Sequence, residues 1–183
     1  GFIVAVVGLG WYFERHSVAN LPVVVALCMA TIIVAAMLVA QPDGERRSAG
    51  SFRAFLLQLR NGTVLGFFVL CFLMQLSHGP YYSFYSIFLQ DEGYSKTQIG
   101  MLWAVGVVAE IGVFWVMHQI ISNFSVRSLA IFCLLAGALR WWLIGTFPDH
   151  SWVIVAAQLG HAATFGVFHA LAIHLIHRFF SVE

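Results

Sequence analysis

The chain has 183 residues, 61% of them apolar and 9% charged, with a net charge of +1. Ordinary soluble domains are about 45–50% apolar and about 25% charged, and a soluble fold of this size could not hide so much apolar surface from water. The composition excludes a soluble globular domain and makes a lipid bilayer the solvent; the near-zero net charge offers no field for nucleic acid, so no such partner is expected.

The first ten residues have no basic n-region and no cleavage site, so they do not read as a signal peptide. The apolar run Phe2–Phe13 is shorter than the roughly 20 residues a span needs. It is expected to be a truncated first helix, and the chain an internal piece of a longer polytopic protein. Leu21–Ala40 follows as a full span. Gln41–Gly62, "QPDGERRSAGSFRAFLLQLRNG", is polar and then amphipathic through Phe52–Leu59, which predicts a surface-lying helix. Four more spans are predicted at Thr63–Phe88, Thr97–Ile121, Val126–Phe147 and Ser151–Phe180, joined by the short connections "LQDEGYSK", "SNFS" and "PDHS". No segment alternates like a barrel strand, and helices are the open elements that satisfy their backbone in lipid. The expected fold class is an all-α polytopic membrane protein with six transmembrane helices, the first truncated. Cys28, Cys71 and Cys133 all lie in apolar runs and read as small hydrophobes, not a disulfide framework.

Alternating loops put Arg46, Arg47, Arg53, Arg60, Arg127 and Arg178 on one side, and Arg15 and Lys96 on the other. The first side is therefore expected to be cytoplasmic. Two helices before a long basic loop and four tightly connected helices after it suggest the boundary between two helical bundles, a plan common among secondary transporters.

Ionisable groups at bilayer depth are costly and usually face a bundle interior. Glu110 lies near the centre of its segment with no cation beside it, and at about 100° per residue it shares a face with Trp103 and Phe114. It is either a hydrogen-bonded structural acid or a proton carrier with a partner on another helix. Arg140 sits just past the centre of the next segment. It keeps its proton and needs an anion, which could be Glu110, a substrate carboxylate or each in turn, unless it snorkels to the interface. The last segment holds Gln158, His161, His169, His174 and His177. His161 is central and reads as functional, His169 stays open, and His174 and His177 read as interfacial. In "MQLSHGPYYSFYS", Gln75, His78, Tyr82 and Tyr85 fall within about an 80° arc. They form a cavity wall or helix–helix glue, with Gly79-Pro80 expected to bend the helix.

These residues also carry a family resemblance. "MQLSHGPYYSFYSIFLQDEGYSKTQIGMLWAVGVVAEIGVFWVMHQ", "LLAGALRWWLIGTFPD" and "AAQLGHAATFGVFHA" together resemble the major facilitator superfamily, and within it the phenylpropionic acid permease (PPP, HcaT-like) branch. The resemblance implies that the chain covers about helices five to ten of twelve. Residues 1–40 would then be the last two helices of the N-terminal half, 41–62 the cytoplasmic loop between halves, and 63–183 the first four helices of the C-terminal half. It implies a proton-coupled secondary transporter working by alternating access in the bacterial inner membrane. The small-molecule substrate would be 3-phenylpropionate or a related aromatic carboxylate. The remaining transporter helices would be its partners, and the complete protein a monomer. Sugar or nucleoside symport, or drug export on the same fold, stands as an alternative, and a haem-binding redox protein as a remote one. No enzymatic activity, cofactor or metal site is expected beyond the coupling proton. The expected substrate-binding residues are Gln75, His78, Tyr82, Trp103, Arg140 and His161; Glu110 and His161 are expected to carry the proton. The lactose permease of the same superfamily has an acid, an Arg and a His on corresponding helices, and a carboxylate three residues after the His. Glu110 lies about one turn from the position of that acid, Arg140 and His161 match the Arg and the His, and Thr164 stands where the carboxylate would be.

Overall fold

The computed structural model describes residues 2–38 and 52–180. In chain order they form α1 (Phe2–Arg15), a 3-10 turn (Val18–Asn20), α2 (Leu21–Leu38), α3 (Phe52–Gln58), α4 (Gly62–Asp91), α5 (Lys96–Asn123), α6 (Val126–Thr146), α7 (Ser151–His161), a π-helical turn (Ala162–Val167) and α8 (Phe168–Phe180). Five stretches are long and apolar enough to cross a membrane: Val18–Leu38, Gly62–Asp91, Lys96–Asn123, Val126–Thr146 and Ser151–Phe180. With 14 residues, α1 is about 21 Å long and falls short of a hydrocarbon core of about 30 Å. The chain is thus the all-α polytopic membrane protein that its composition requires.

The helix starts are set by polar caps in the short connections. Asn61 Oδ1 accepts from the Thr63 amide at 2.9 Å. Ser95 and Gln98 form a reciprocal capping box, and Ser125 Oγ accepts from the Ser128 amide at 3.1 Å. The end of α4 turns on Gly93, at φ +87°, where the Tyr94 amide reaches back to the Leu89 carbonyl at 2.9 Å. The amphipathic stretch Phe52–Leu59 does form a short helix, α3, whose Phe55 ring meets Phe68 of α4 and Phe180 of α8. Ala40, Arg46 and Arg47 lie outside the described residues. The bend expected at Gly79-Pro80 does not interrupt α4, which is one helix of 30 residues. Its buried face of Met74, His78, Tyr81, Tyr85 and Leu89 holds it helical across the proline.

That face belongs to two apolar cores stacked along the helices. One contains Phe67, Met74, Met117, Leu129, Cys133 and Leu171. The other contains Tyr81, Tyr85, Leu102, Ile144, Ile154 and Ala157. The order repeats on every helix that contributes to both. On α6, Cys133 is in the first core and Ile144 in the second, with buried Arg140 between them. From α7 into the π-helical turn, Ala157 and Val167 bracket buried Gln158, His161 and Thr164. On α4, His78 follows Met74 and precedes Tyr81. A thin polar layer is therefore sealed between two greasy ones.

Close backbone approach fixes α1 against α5, as small residues do in lipid, where no hydrophobic force drives helices together. A Cβ on Gly10 would stand 2.8 Å from the Lys96 carbonyl oxygen, and one on Gly100 would stand 2.5 Å from that of Val6. Beyond this seam Lys96 Nζ donates to the Phe13 carbonyl at 3.0 Å, and the Thr97 hydroxyl donates to Glu14. Arg15 and Lys96 thus share one end of the bundle. At that end Tyr94 Oη also donates to the Pro148 carbonyl at 2.8 Å, and the His150 ring beside Asp149 holds its carboxyl below the usual carboxylate range. None of the residues of α2 is buried.

Candidate functional site

The polar layer is organised around His161, the last residue of α7. Its Nε2 lies 3.1 Å from Oε1 of Glu110 on α5, with both side chains largely withdrawn from the surface. Glycine makes the approach possible. A Cβ on Gly106, one turn before Glu110, would meet His161 Cδ2 at 3.5 Å, and one on Gly166 would meet Glu110 Cγ at 3.7 Å. Glu110 is held between the end of α7 and the π-helical turn. The group beside it in this conformation is therefore an imidazole, and not the Arg140 guanidinium that the sequence offered as one partner. Local π-helix is rare and frequently marks functional sites. Here it carries Thr164, whose Oγ1 donates to the His161 carbonyl at 3.1 Å.

Arg140 is 2% exposed, so it points into the bundle and does not snorkel outward. Its guanidinium carbon lies 4.2 Å from the centre of the Tyr81 ring and 5.5 Å from that of Trp141. Tyr81 Oη donates to Gln158 Oε1 at 3.0 Å. Several buried polar atoms around this stack lack a hydrogen-bond partner of good geometry: Arg140 Nε and Nη2, Gln158 Nε2, His78 Nε2 and His161 Nδ1. Buried polar atoms are rarely left so. The two free arginine nitrogens are also the pair on one side-on edge of the guanidinium, the edge that grips a carboxylate with two parallel hydrogen bonds.

Two cavities flank the layer. One, of about 280 Å³, is lined by Phe2, Tyr81, Tyr82, Trp103, Glu110 and His161. The other, of about 220 Å³, is lined by Gln75, His78, Thr164, Phe168 and His169. Phe165 borders both, with its ring stacked on His161 at 5.5 Å and on His169 at 5.6 Å.

The structure brings six of the seven sequence-predicted site residues around these cavities and places Arg140 behind Tyr81. Gln75 is exposed and contributes to the rim of the smaller cavity. His78 is buried, with Nδ1 2.8 Å from the Met74 carbonyl and its ring 5.5 Å from that of His161. Tyr82 is half exposed and stacks on Trp103 with 6.0 Å between ring centres; Trp103 Nε1 donates to Ser86 Oγ at 3.0 Å. Tyr85 packs in the second apolar core, Phe114 is exposed, and neither lines the two cavities. The four-residue stripe expected on α4 is thus split, because the helix turns its burial toward Tyr81. Tyr81 and Gln158 were not among the expected site residues, yet they tie Arg140 to the His161 helix; each stands three residues from a buried histidine. His174 and His177 are exposed. Among the described residues, no group of three His, Cys, Asp or Glu side chains gathers to hold a metal ion.

The sequence profile of the MFS_1 like family matches residues 1–183. The chain belongs to that family. Among the curated relatives of this MFS_1 like chain is the "Probable 3-phenylpropionic acid transporter" of Escherichia coli (strain K12), 33% identical over 161 residues. That match covers 83% of the chain and 42% of the relative. The "Uncharacterized transporter YwbF" of Bacillus subtilis (strain 168) is 24% identical over 178 residues, covering 96% of the chain and 44% of the relative. The chain spans under half the length of the curated relatives it matches. No solved structure matches it. Membership of this transporter family agrees with a buried polar layer inside a bundle of membrane-crossing helices. What the MFS_1 like site offers chemically is a free guanidinium edge, an aromatic-walled cavity and a carboxyl–imidazole pair 3.1 Å apart on neighbouring helices.

Proposed function

We propose that this chain forms part of a proton-coupled secondary transporter of the bacterial inner membrane, taking up a small aromatic carboxylate by alternating access. The carrying observation is the pair of unpartnered nitrogens, Nε and Nη2, on the side-on edge of buried Arg140. A buried guanidinium with that edge free calls for a planar anion. Charge-assisted hydrogen bonds of this kind contribute about 1.5–3 kcal/mol each. The cavity walled by Tyr81, Tyr82 and Trp103 suits a ring; at about 280 Å³ it lies just below the range of about 300–1,000 Å³ for drug-sized ligands. The name of the E. coli relative supports 3-phenylpropionate as the first substrate to test.

Glu110 carries the coupling proton in this proposal. It lies against the cavity, it is a carboxyl at bilayer depth, and His161 sits within hydrogen-bonding distance to share its proton. The end of the bundle holding Arg60, Arg127 and Arg178 faces the cytoplasm on the charge rule. The test is uptake of 3-phenylpropionate into vesicles containing a full-length transporter that carries this chain. An inward proton gradient should drive accumulation. Glu110→Gln should abolish accumulation while leaving exchange of labelled for unlabelled substrate. Gradient-driven accumulation that survives Glu110→Gln would remove Glu110 from this role, and a wild-type protein that binds no 3-phenylpropionate would refute the substrate.

A further inference from the structure

The buried histidines have hydrogen-bonding states that their neighbours dictate. The Met74 carbonyl can only accept, so Nδ1 of His78 carries hydrogen and Nε2 of the neutral ring is bare. An ionised Glu110 likewise requires hydrogen on Nε2 of His161, leaving Nδ1 with a lone pair. Both bare nitrogens are buried and without partners, in the same polar layer as buried Arg140. In that state the polar layer repels an anion's oxygens at two points and attracts them at one.

One added proton changes this. It can settle on Glu110 Oε2, leaving His161 as it was. It can instead settle on Nδ1 of His161, making an imidazolium beside the Glu110 carboxylate. From there the Nε2 hydrogen can pass to Glu110 Oε1, giving a neutral acid and a neutral ring protonated on Nδ1. The last two forms have the same proton count, and both convert Nδ1 from an acceptor into a donor. We infer that His161 Nδ1 is where proton uptake by the Glu110–His161 pair is presented to the substrate: protonated, it donates to the anion held by Arg140, and bare, it repels that anion. The inference rests on the anion-binding reading above. The other titratable and charged groups around His161 are His78 and Tyr81 on α4 (ring centres at 5.5 and 4.7 Å), Tyr82 across the cavity, Arg140 on α6, whose charge acts on both histidines, and His169 on α8 beyond Phe165. Glu110 alone among them lies on the Nε2 side within bonding distance.

Nitrogen-15 spectroscopy of the imidazoles in the full-length transporter, from about pH 5 to about pH 9, reads this directly, because bare and protonated ring nitrogens give distinct signals. His161 Nδ1 should change from bare to protonated as pH falls. Saturating 3-phenylpropionate should move that change to higher pH, and the affinity for the ligand should rise by about tenfold per pH unit lowered where one proton is linked. An Nδ1 that keeps one state throughout, or a titration confined to His78 Nε2, overturns the inference whatever the substrate. So does an Nδ1 that titrates identically with and without a ligand shown separately to bind. If Nδ1 titrates as expected but 3-phenylpropionate does not bind, the substrate reading fails and the proton site stands.

Discussion

Replacing Arg140 by lysine separates charge from geometry. Lysine keeps a cation that can lie over the Tyr81 ring, whose centre is now 4.2 Å from the guanidinium carbon. What it loses is the planar edge on which Nε and Nη2 stand side by side, because an ammonium is a point charge and cannot present two parallel donors. One of two charge-assisted hydrogen bonds should therefore go, at about 1.5–3 kcal/mol. That corresponds to about 10- to 150-fold weaker binding. The measurement is calorimetric titration of the full-length transporter with 3-phenylpropionate, and in parallel with the alcohol of the same skeleton, which has the ring but no carboxylate. Arg140→Lys should weaken the acid by that factor and leave the alcohol nearly unchanged. An equal loss for both ligands would mean that the substitution merely disturbs packing. An unchanged affinity for the acid would mean that the free edge does not hold the carboxylate.

Three further outcomes follow from the packing and the pair. Glu110→Gln leaves His161 Nε2 an amide instead of a carboxylate to donate to, so the imidazolium loses its counter-charge and the proton released or taken up on substrate binding, measured in weakly buffered solution, should fall; an unchanged value would place the proton elsewhere. Tyr81→Phe removes the donor to Gln158 Oε1 but keeps the ring under Arg140, and should destabilise the protein by about 0.6 kcal/mol and at most about 1.7, the range of interhelical hydrogen bonds in membranes, read as a small drop in the midpoint of denaturant unfolding; no drop would mean the bond contributes nothing. Gly100→Val must push α1 and α5 apart, because its Cβ would stand 2.5 Å from the Val6 carbonyl oxygen; overpacking of this kind costs about 1–3 kcal/mol. Spin labels on the two helices should report the separation, and Gly112→Val, whose Cβ meets nothing within 4 Å, should leave the distance unchanged. Identical distances in both variants would refute the tight seam.

The membrane fold was readable because lipid leaves a chain so few choices: each apolar run had to become a helix, and the caps at Asn61, Ser95 and Ser125 stand where the runs begin. Glu110, Arg140, His78 and His161 were visible for the opposite reason, as costly groups in an apolar background. Their partners were not. Whether Glu110 meets Arg140 or His161 depends on how far α5 and α7 slide past each other, and Gly106, which sets that distance, has no side chain to announce it. Gln158 stood out as a polar group in the last segment, but its partner Tyr81 lies on another helix, and no pattern within either segment joins the two. The π-helical turn at Ala162–Val167 has no periodic signature of its own, because six residues are too few to separate a widened turn from ordinary helical spacing.

The glycine seam between α1 and α5 has a mechanical consequence. Side chains that interdigitate must change rotamer before they part, so an interlocked interface resists separation over its whole length. Where Gly10 lies on the Lys96 carbonyl and Gly100 on that of Val6, bare backbone meets bare backbone. Two such smooth rails can separate and close again without any side chain having to find its slot. The resistance at this end of the bundle then collects in the polar contacts just past the rails, Lys96 on the Phe13 carbonyl and Thr97 on Glu14, which act as a clasp small enough for a few water molecules to undo.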